Sequence, residues 1–245
     1  MSRYVLVHGA WEGAWSWENI VPALESRGHE VVVVKLPGSY GNEKPINEVT
    51  LESYVAEVAK AIEVSDQPVV LAGHSLGGVV ISQVAQRFAD RIERLVYVTA
   101  FLLENGGSAI EAMQSDAEGQ MLSKLVFSED QSYAQVPEEV WREVAFHDAE
   151  AKDIDSALSR TAKKQATEPF MAKLELTDEQ FGRVPKAYIR TTLDRVLSPA
   201  LQDRMIQNWA VDEVVTLESG HFPALSMPKK LASSLLVIGA GTKSV

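Results

Sequence analysis

The sequence contains no cysteine, which excludes disulfides, thiolate catalysis and cysteine-ligated zinc. Basic residues are also scarce: 23 Lys and Arg stand against 34 Asp and Glu, and the formal net charge is -11. Because nucleic-acid phosphates are bound mainly by clustered Lys and Arg, this balance argues against a nucleic-acid partner. No run of about 18 apolar residues occurs, and residues 1–7 are too short for a secretory leader. We therefore expect a cytoplasmic protein without membrane contact.

The chain is long enough for one large hydrophobic core. It has 245 residues, of which 46% are hydrophobic, and α/β folds of this size often form one domain. Strand-like runs alternate with amphipathic helical segments, the former at residues 4–7, 29–36, 69–72 and 92–99 and the latter at 17–27, 51–64 and 79–88. The run 29–36 is rich in β-branched residues, as in a parallel strand buried on both faces. Strict alternation predicts a parallel sheet with helices on both faces.

Residues 69–78 carry the strongest motif. Four apolar residues lead into Gly-His-Ser-Leu-Gly, and a helical pattern follows at once, as in the Gly-x-Ser-x-Gly turn that presents a nucleophile. Gly73 and Gly77 relieve the crowding in so sharp a turn. The turn would lift the Ser75 hydroxyl clear of the sheet edge and direct the Leu76 N–H at the site where negative charge develops. We predict Ser75 as the nucleophile and Leu76 as an oxyanion donor.

A second oxyanion donor is expected after the first strand. There the sequence reads His-Gly-Ala-Trp, and in hydrolases of this type the loop after an early strand supplies a backbone N–H. Ala10 occupies that position. Trp11 follows it and is a candidate for the wall of the pocket.

Between residues 104 and 185 the pattern changes to acidic and polar helical periodicity, at 108–121, 137–146 and 154–166. A stretch of this length without a core strand is too long for a crossover, so we predict an inserted, mainly helical lid that covers the pocket. The core then comprises residues 1–103 and 186–245. Candidates for lining the lid's inner surface are apolar: Met113, Met121, Leu122, Leu125, Phe127 and Trp141.

Two late strands, at 186–191 and 213–217, each end in a candidate catalytic residue. In this type of enzyme the chain order is serine, acid, histidine, with acid and histidine on loops after successive late strands. Asp194 and His221 meet that order, His221 as the base for Ser75 and Asp194 as the group that orients its imidazole. Glu104, after the strand that follows the serine, is an alternative acid. A final helix is expected at 228–238.

In these motifs, the chain resembles the plant methylesterase and hydroxynitrile lyase family of α/β-hydrolases and its bacterial esterase relatives. The resemblance lies in residues 5–17, 72–78, 191–199 and 220–228. It implies an α/β-hydrolase fold, Ser75, Asp194 and His221 as the triad, and Ala10 and Leu76 as oxyanion donors. The lyase members have a hydroxyl residue in place of Ala10 and a lysine in place of Phe222, so the chain is more similar to the esterases.

We therefore expect a serine carboxylesterase that acts on small to medium apolar esters without metal or cofactor. Phe222, like Trp11, Phe127 and Trp141, is expected at the substrate pocket. A lyase or carbon–carbon hydrolase on the same triad is an alternative reading, as is a hormone-receptor-like binder with negligible turnover. The partner is a small ester, and exposed faces of the lid are compatible with a homodimer.

Overall fold

The structure is a computed structural model that describes residues 1–241. Its first part alternates strands and helices, as predicted. These elements are β1 (Arg3–Val7), α1 (Val21–Glu25), β2 (Glu30–Val34), α2 (Leu51–Glu63), β3 (Val69–His74), α3 (Gly77–Phe88) and β4 (Ile92–Val98). Short 3₁₀ turns lie at Ala14–Trp17, Ile46–Glu48 and Ala89–Arg91.

The chain beyond β4 has shorter elements before the sheet resumes. They are α4 (Ala109–Gln114), β5 (Val126–Phe127), β6 (Tyr133–Gln135), α5 (Glu138–Val140), α6 (Ala151–Leu158), β7 (Gln165–Ala166) and α7 (Glu168–Met171), with a 3₁₀ turn at Leu122–Lys124 and π-helical turns at Trp141–Ala145 and Asp178–Gly182. The sheet and its helices then continue with β8 (Lys186–Thr191), α8 (Pro199–Gln207), β9 (Glu213–Leu217), α9 (Pro223–Ser226) and α10 (Pro228–Ala240).

Six strands form one parallel sheet in the order β2-β1-β3-β4-β8-β9. One hydrophobic cluster packs α2, α3 and α8 on one face, and a second packs α1 and α10 on the other. Because parallel strands end at the same edge, the loops after β1, β3, β8 and β9 converge there. This edge is where the predicted site residues lie. Within residues 1–241, no helix has both the length and the apolar character needed to cross a bilayer.

Two predictions about the first part were wrong in detail. The predicted helix 17–27 is a 3₁₀ turn followed by the short helix α1, because Pro22 has no N–H to donate within a continuous helix and stands instead at its first turn. The strand predicted at 29–36 is not buried on both faces. It is the edge strand β2, and its residues up to Val33 are partly exposed.

The segment between β4 and β8 differs more from its prediction. Only the helix expected at 137–146 has about the predicted extent, as α5 and the π-helical turn after it. The helix predicted at 108–121 ends at Gln114, since Asp116 leaves the helix and binds the backbone and hydroxyl of Ser198. Strands β5, β6 and β7 form a small antiparallel sheet that was not predicted, although helical residues outnumber strand residues in this segment.

Candidate active site

Ser75 lies at the sharp turn between β3 and α3. Its φ of 51° is left-handed, a conformation that costs energy for a residue with a side chain. The turn closes on Gly73, where an added Cβ would come within 2.6 Å of the Gly77 carbonyl oxygen. The sequence therefore needs glycine at position 73 for Ser75 to be presented at the sheet edge.

The structure brings Ser75, His221 and Asp194 together although they are far apart in the sequence. His221 Nδ1 lies 2.7 Å from Asp194 Oδ2, and His221 Nε2 lies 3.0 Å from Ser75 Oγ. Because an ionised carboxylate only accepts, His221 donates from Nδ1, and Nε2 is left to accept the Ser75 hydroxyl proton. All three side chains are buried. This is the arrangement that an activated serine nucleophile requires.

The Asp194 carboxylate is held by several donors. Its Oδ2 accepts a 2.5 Å hydrogen bond from Thr99, while Oδ1 accepts from the N–H groups of Val196 and Leu197 at 2.7 and 3.0 Å. Burial opposes ionisation, but the charge and hydrogen bond of His221, with these donors, hold the Asp194 pKa below its usual value. Thr99 was not identified from the sequence. Its positive φ of 36° marks a conformation that β-branched residues rarely adopt.

Ala10 and Leu76, the predicted oxyanion donors, flank Ser75. Ala10 lies in the loop after β1 and lines the same cavity as Ser75, and Leu76 directly precedes α3. Within residues 1–241, neither backbone N–H donates to a protein acceptor. Gly9 lets the loop approach, since a Cβ there would meet Ser75 Cβ at 2.8 Å. Their role as oxyanion donors therefore remains a prediction.

A buried ion pair lies beside Ser75. His74 Nδ1 is 2.8 Å from Glu12 Oε1, and His74 Nε2 is 2.7 Å from the backbone oxygen of His221. Glu12 was not identified from the sequence. The available signal was an acid placed between Trp11 and Trp15, because a carboxylate in so apolar a stretch needs a partner.

The cavity at Ser75 has predominantly apolar walls. Of the predicted pocket residues, Trp11, Trp141 and Phe222 line it. Phe127 does not: it lies on β5, is 43% exposed and borders a neighbouring hollow together with Leu125. The remaining apolar lining consists of Ala10, Phe101, Met113, Met121, Ala145, Phe170 and Val196, and the polar lining of Glu12, Ser75 and His221.

Glu104, the alternative acid, is exposed and borders a different surface depression, whereas Asp194 is hydrogen-bonded to His221. No cluster of three or more His, Cys, Asp or Glu suited to holding a metal ion occurs in residues 1–241.

The parallel sheet, the serine at the strand-to-helix turn and the histidine after the last strand define a class of enzyme. The chain belongs to the alpha/beta hydrolase family, whose model matches residues 4–234, and it is a hydrolase.

Particular relatives sharpen this assignment. Putative methylesterase 14, chloroplastic, from Arabidopsis thaliana is 30% identical over 97% of this chain and 72% of its own length. Methylesterase 2 from the same plant is 30% identical over 96% and 95%. The crystal structure of a pyrethroid hydrolase from Sphingobium faniae JZ-2 superposes with a TM-score of 0.86, at 27% identity and 98% coverage of both chains. One relative is named as chloroplastic, so a cytoplasmic location stays a prediction, as does a homodimer.

Proposed function

We propose that the chain is a serine carboxylesterase that hydrolyses small to medium, apolar and uncharged esters through an acyl-enzyme. The observation that carries the proposal is the hydrogen-bond chain from Ser75 through His221 to Asp194 at a largely apolar cavity. These groups supply a nucleophile, its base and the group that orients the base. The relatives named as methylesterases support an ester with a small alcohol part.

In the first step, Ser75 Oγ attacks the ester carbonyl carbon while His221 Nε2 takes the hydroxyl proton. The carbonyl oxygen becomes an oxyanion, which the N–H groups of Ala10 and Leu76 would stabilise. When the intermediate collapses, the bond to the alcohol oxygen breaks and the imidazolium returns its proton to the alcohol. Asp194 stabilises the imidazolium while it is charged.

The second step repeats this chemistry with water. His221 takes a proton from water, the hydroxide attacks the acyl carbon, and the bond to Ser75 Oγ breaks as the serine recovers a proton. The products are the carboxylic acid and the free enzyme.

Phe222 favours ester hydrolysis over cyanohydrin cleavage. Cyanide leaves as an anion that an ammonium group would stabilise, but position 222 holds an aromatic ring stacked on Trp15. Neither Lys nor Arg is among the cavity-lining residues in the described part of the chain. Ester cleavage needs no such cation.

The test is turnover of 4-nitrophenyl butyrate by the Ser75→Ala protein. We expect loss of at least about 1,000-fold in kcat/KM with an unchanged circular dichroism spectrum. Ser115→Ala, which changes an exposed serine, is the matched control and keeps full activity. Retained activity in Ser75→Ala, or only a single turnover by the native protein, would overturn the proposal.

A further inference from the structure

Glu12 is a buried carboxylate for which the proposed mechanism has no use. Its side chain is 1% exposed and reaches the cavity beside Ser75. One oxygen, Oε1, accepts from His74, while Oε2 has no hydrogen-bond partner within residues 1–241. A buried charge is costly unless it is paired, so the retention of this carboxylate beside the nucleophile calls for a physical reason.

The partners of His74 identify its charge state. The His221 carbonyl accepts from Nε2, and an ionised Glu12 carboxylate accepts from Nδ1, so with Glu12 ionised both ring nitrogens carry protons. Burial disfavours a charged imidazole, yet the Glu12 charge and hydrogen bond outweigh it and raise the His74 pKa. Burial likewise opposes ionisation of Glu12, but His74 lowers the pKa of that carboxyl below its usual value. The pair is therefore a carboxylate and an imidazolium.

The two histidines near His74 have hydrogen-bond partners of their own and do not take a proton from His74. His8 is a further buried histidine that interacts with Glu12 and His74. Its Nδ1 donates to the Gly9 oxygen and its Nε2 accepts from the Leu36 N–H, so His8 is neutral. Burial lowers its pKa in keeping with this. His221 stands with its ring 4.9 Å from that of His74 and directs Nδ1 at Asp194.

One imidazolium thus joins the three chain segments that carry the reacting groups. Glu12 follows Ala10 by two residues in the loop after β1, His74 directly precedes Ser75, and the His221 carbonyl belongs to the proposed base. A displacement of about 1 Å between such groups can cost about 100-fold in rate. A hydrogen-bonded bridge between the segments would keep them in register.

We propose that Glu12 and His74 form a positioning clamp, which holds the loop of Ala10, the Ser75 turn and the His221 loop at the distances that the esterase reaction needs. This inference rests on the proposed function. Neither residue reacts: Glu12 acts through His74, and His74 acts through the backbone of His221.

The test compares Glu12→Leu, Glu12→Gln, His74→Leu and the double leucine variant. For Glu12→Leu we expect kcat to fall about 10- to 100-fold with KM little changed, because alignment rather than binding is lost. Glu12→Gln should recover most of the rate, since its amide can donate to Nδ1 of a neutral His74 that still donates from Nε2. Glu12→Leu should add little in the His74→Leu background, because residues acting through each other are not additive.

Glu18→Leu is the matched control, since Glu18 is a nearby exposed acid that pairs with Arg160 outside the cavity. Native kinetics in Glu12→Leu, multiplicative effects in the double variant, or a change confined to KM would overturn the clamp. If the leucine variants fail to fold, nitrogen-15 NMR of the five histidines in the native protein still tests the clamp. The clamp predicts a His74 ring whose Nδ1 and Nε2 are both hydrogen-bonded, giving signals that are absent from the spectrum of His74→Gln, and a His74 ring without these two hydrogen bonds would refute it.

Labelling with a fluorophosphonate separates this inference from the proposed function. If the native protein is not labelled at Ser75, the proposed function itself fails. If the native protein and Glu12→Leu are labelled at the same rate, only the clamp fails.

Discussion

The parallel sheet and the segment between β4 and β8 contribute different things to the cavity. The hydrogen-bonded polar groups come from the sheet edge, at the end of β3 and in the loops after the strands: Glu12, His74, Ser75, Thr99, Asp194 and His221. Within the inserted segment, residues 104–185, the cavity lining is entirely apolar and consists of Met113, Met121, Trp141, Ala145 and Phe170. From this difference, and on the proposed function, we expect the sheet edge to determine whether an ester is cleaved and the inserted segment to determine which ester fits.

The largest expected effect comes from the sheet edge. Asp194→Asn should lower kcat/KM for every ester by about 1,000- to 10,000-fold, because asparagine orients the wrong imidazole tautomer and cannot stabilise the imidazolium. The measurement is steady-state kinetics on a series of nitrophenyl esters. Glu104→Gln, at the alternative acid, is the control and should leave the kinetics unchanged. A loss with Glu104→Gln rather than Asp194→Asn would reverse the assignment of the acid.

A smaller, selective effect is expected from the inserted segment. Met113→Ala should enlarge the cavity and raise the ratio of kcat/KM for octanoate over acetate esters by about 10-fold, since a few methylenes are worth that much in an apolar pocket. Val126→Ala, at a 52% exposed position of the same segment, should leave the ratio unchanged. An equal loss for all esters in Met113→Ala would contradict the division of roles.

The smallest effect concerns Lys186, where the two regions meet. Its Nζ is buried and donates to the carbonyls of Phe181, Gly182 and Val184 at the end of the inserted segment. Burial lowers the Lys186 pKa from 10.5 to about 8, against the opposing charges of Asp212 and Asp178. Between these two values the unfolded chain binds more protons than the folded one, so the free energy of unfolding rises with pH.

We expect this rise to be on the order of 1 kcal/mol between pH 8 and 10. Urea unfolding at the two pH values measures the free energy of unfolding. That free energy should rise with pH in the native protein by this amount more than in Lys186→Met, which lacks the titrating amine. Lys60→Met, at a 71% exposed side chain, should behave as the native protein does. An identical pH dependence in native protein and Lys186→Met would refute the shifted pKa.

The sheet was predictable from sequence because its signals are local. The apolar run before Ser75, the glycines at 73 and 77 and the helical spacing after them each need only a few adjacent residues. Asp194 and His221 were predicted from their positions at the ends of late strands. In the structure, His221 lies within hydrogen-bonding distance of both Asp194 and Ser75.

The secondary structure of the inserted segment was less predictable from sequence, because it depends on contacts between residues that are far apart in the chain. Strands β5 and β7 have two residues each, too few for an alternating pattern to register. The Glu12–His74 pair joins residues 62 positions apart, and a spacing of that size leaves no periodic trace. Phe127 was wrongly predicted to line the pocket, because apolar character alone does not distinguish a residue of a cavity wall from one on an exposed strand.

The most direct measurement is peptide mapping by mass spectrometry after treatment with a fluorophosphonate. We expect a single adduct on the peptide that contains Ser75, formed at least about 100-fold more slowly in His221→Ala because the base is gone. An adduct on another serine, or equal labelling rates in the two proteins, would contradict the claim that Ser75 and His221 react as one unit.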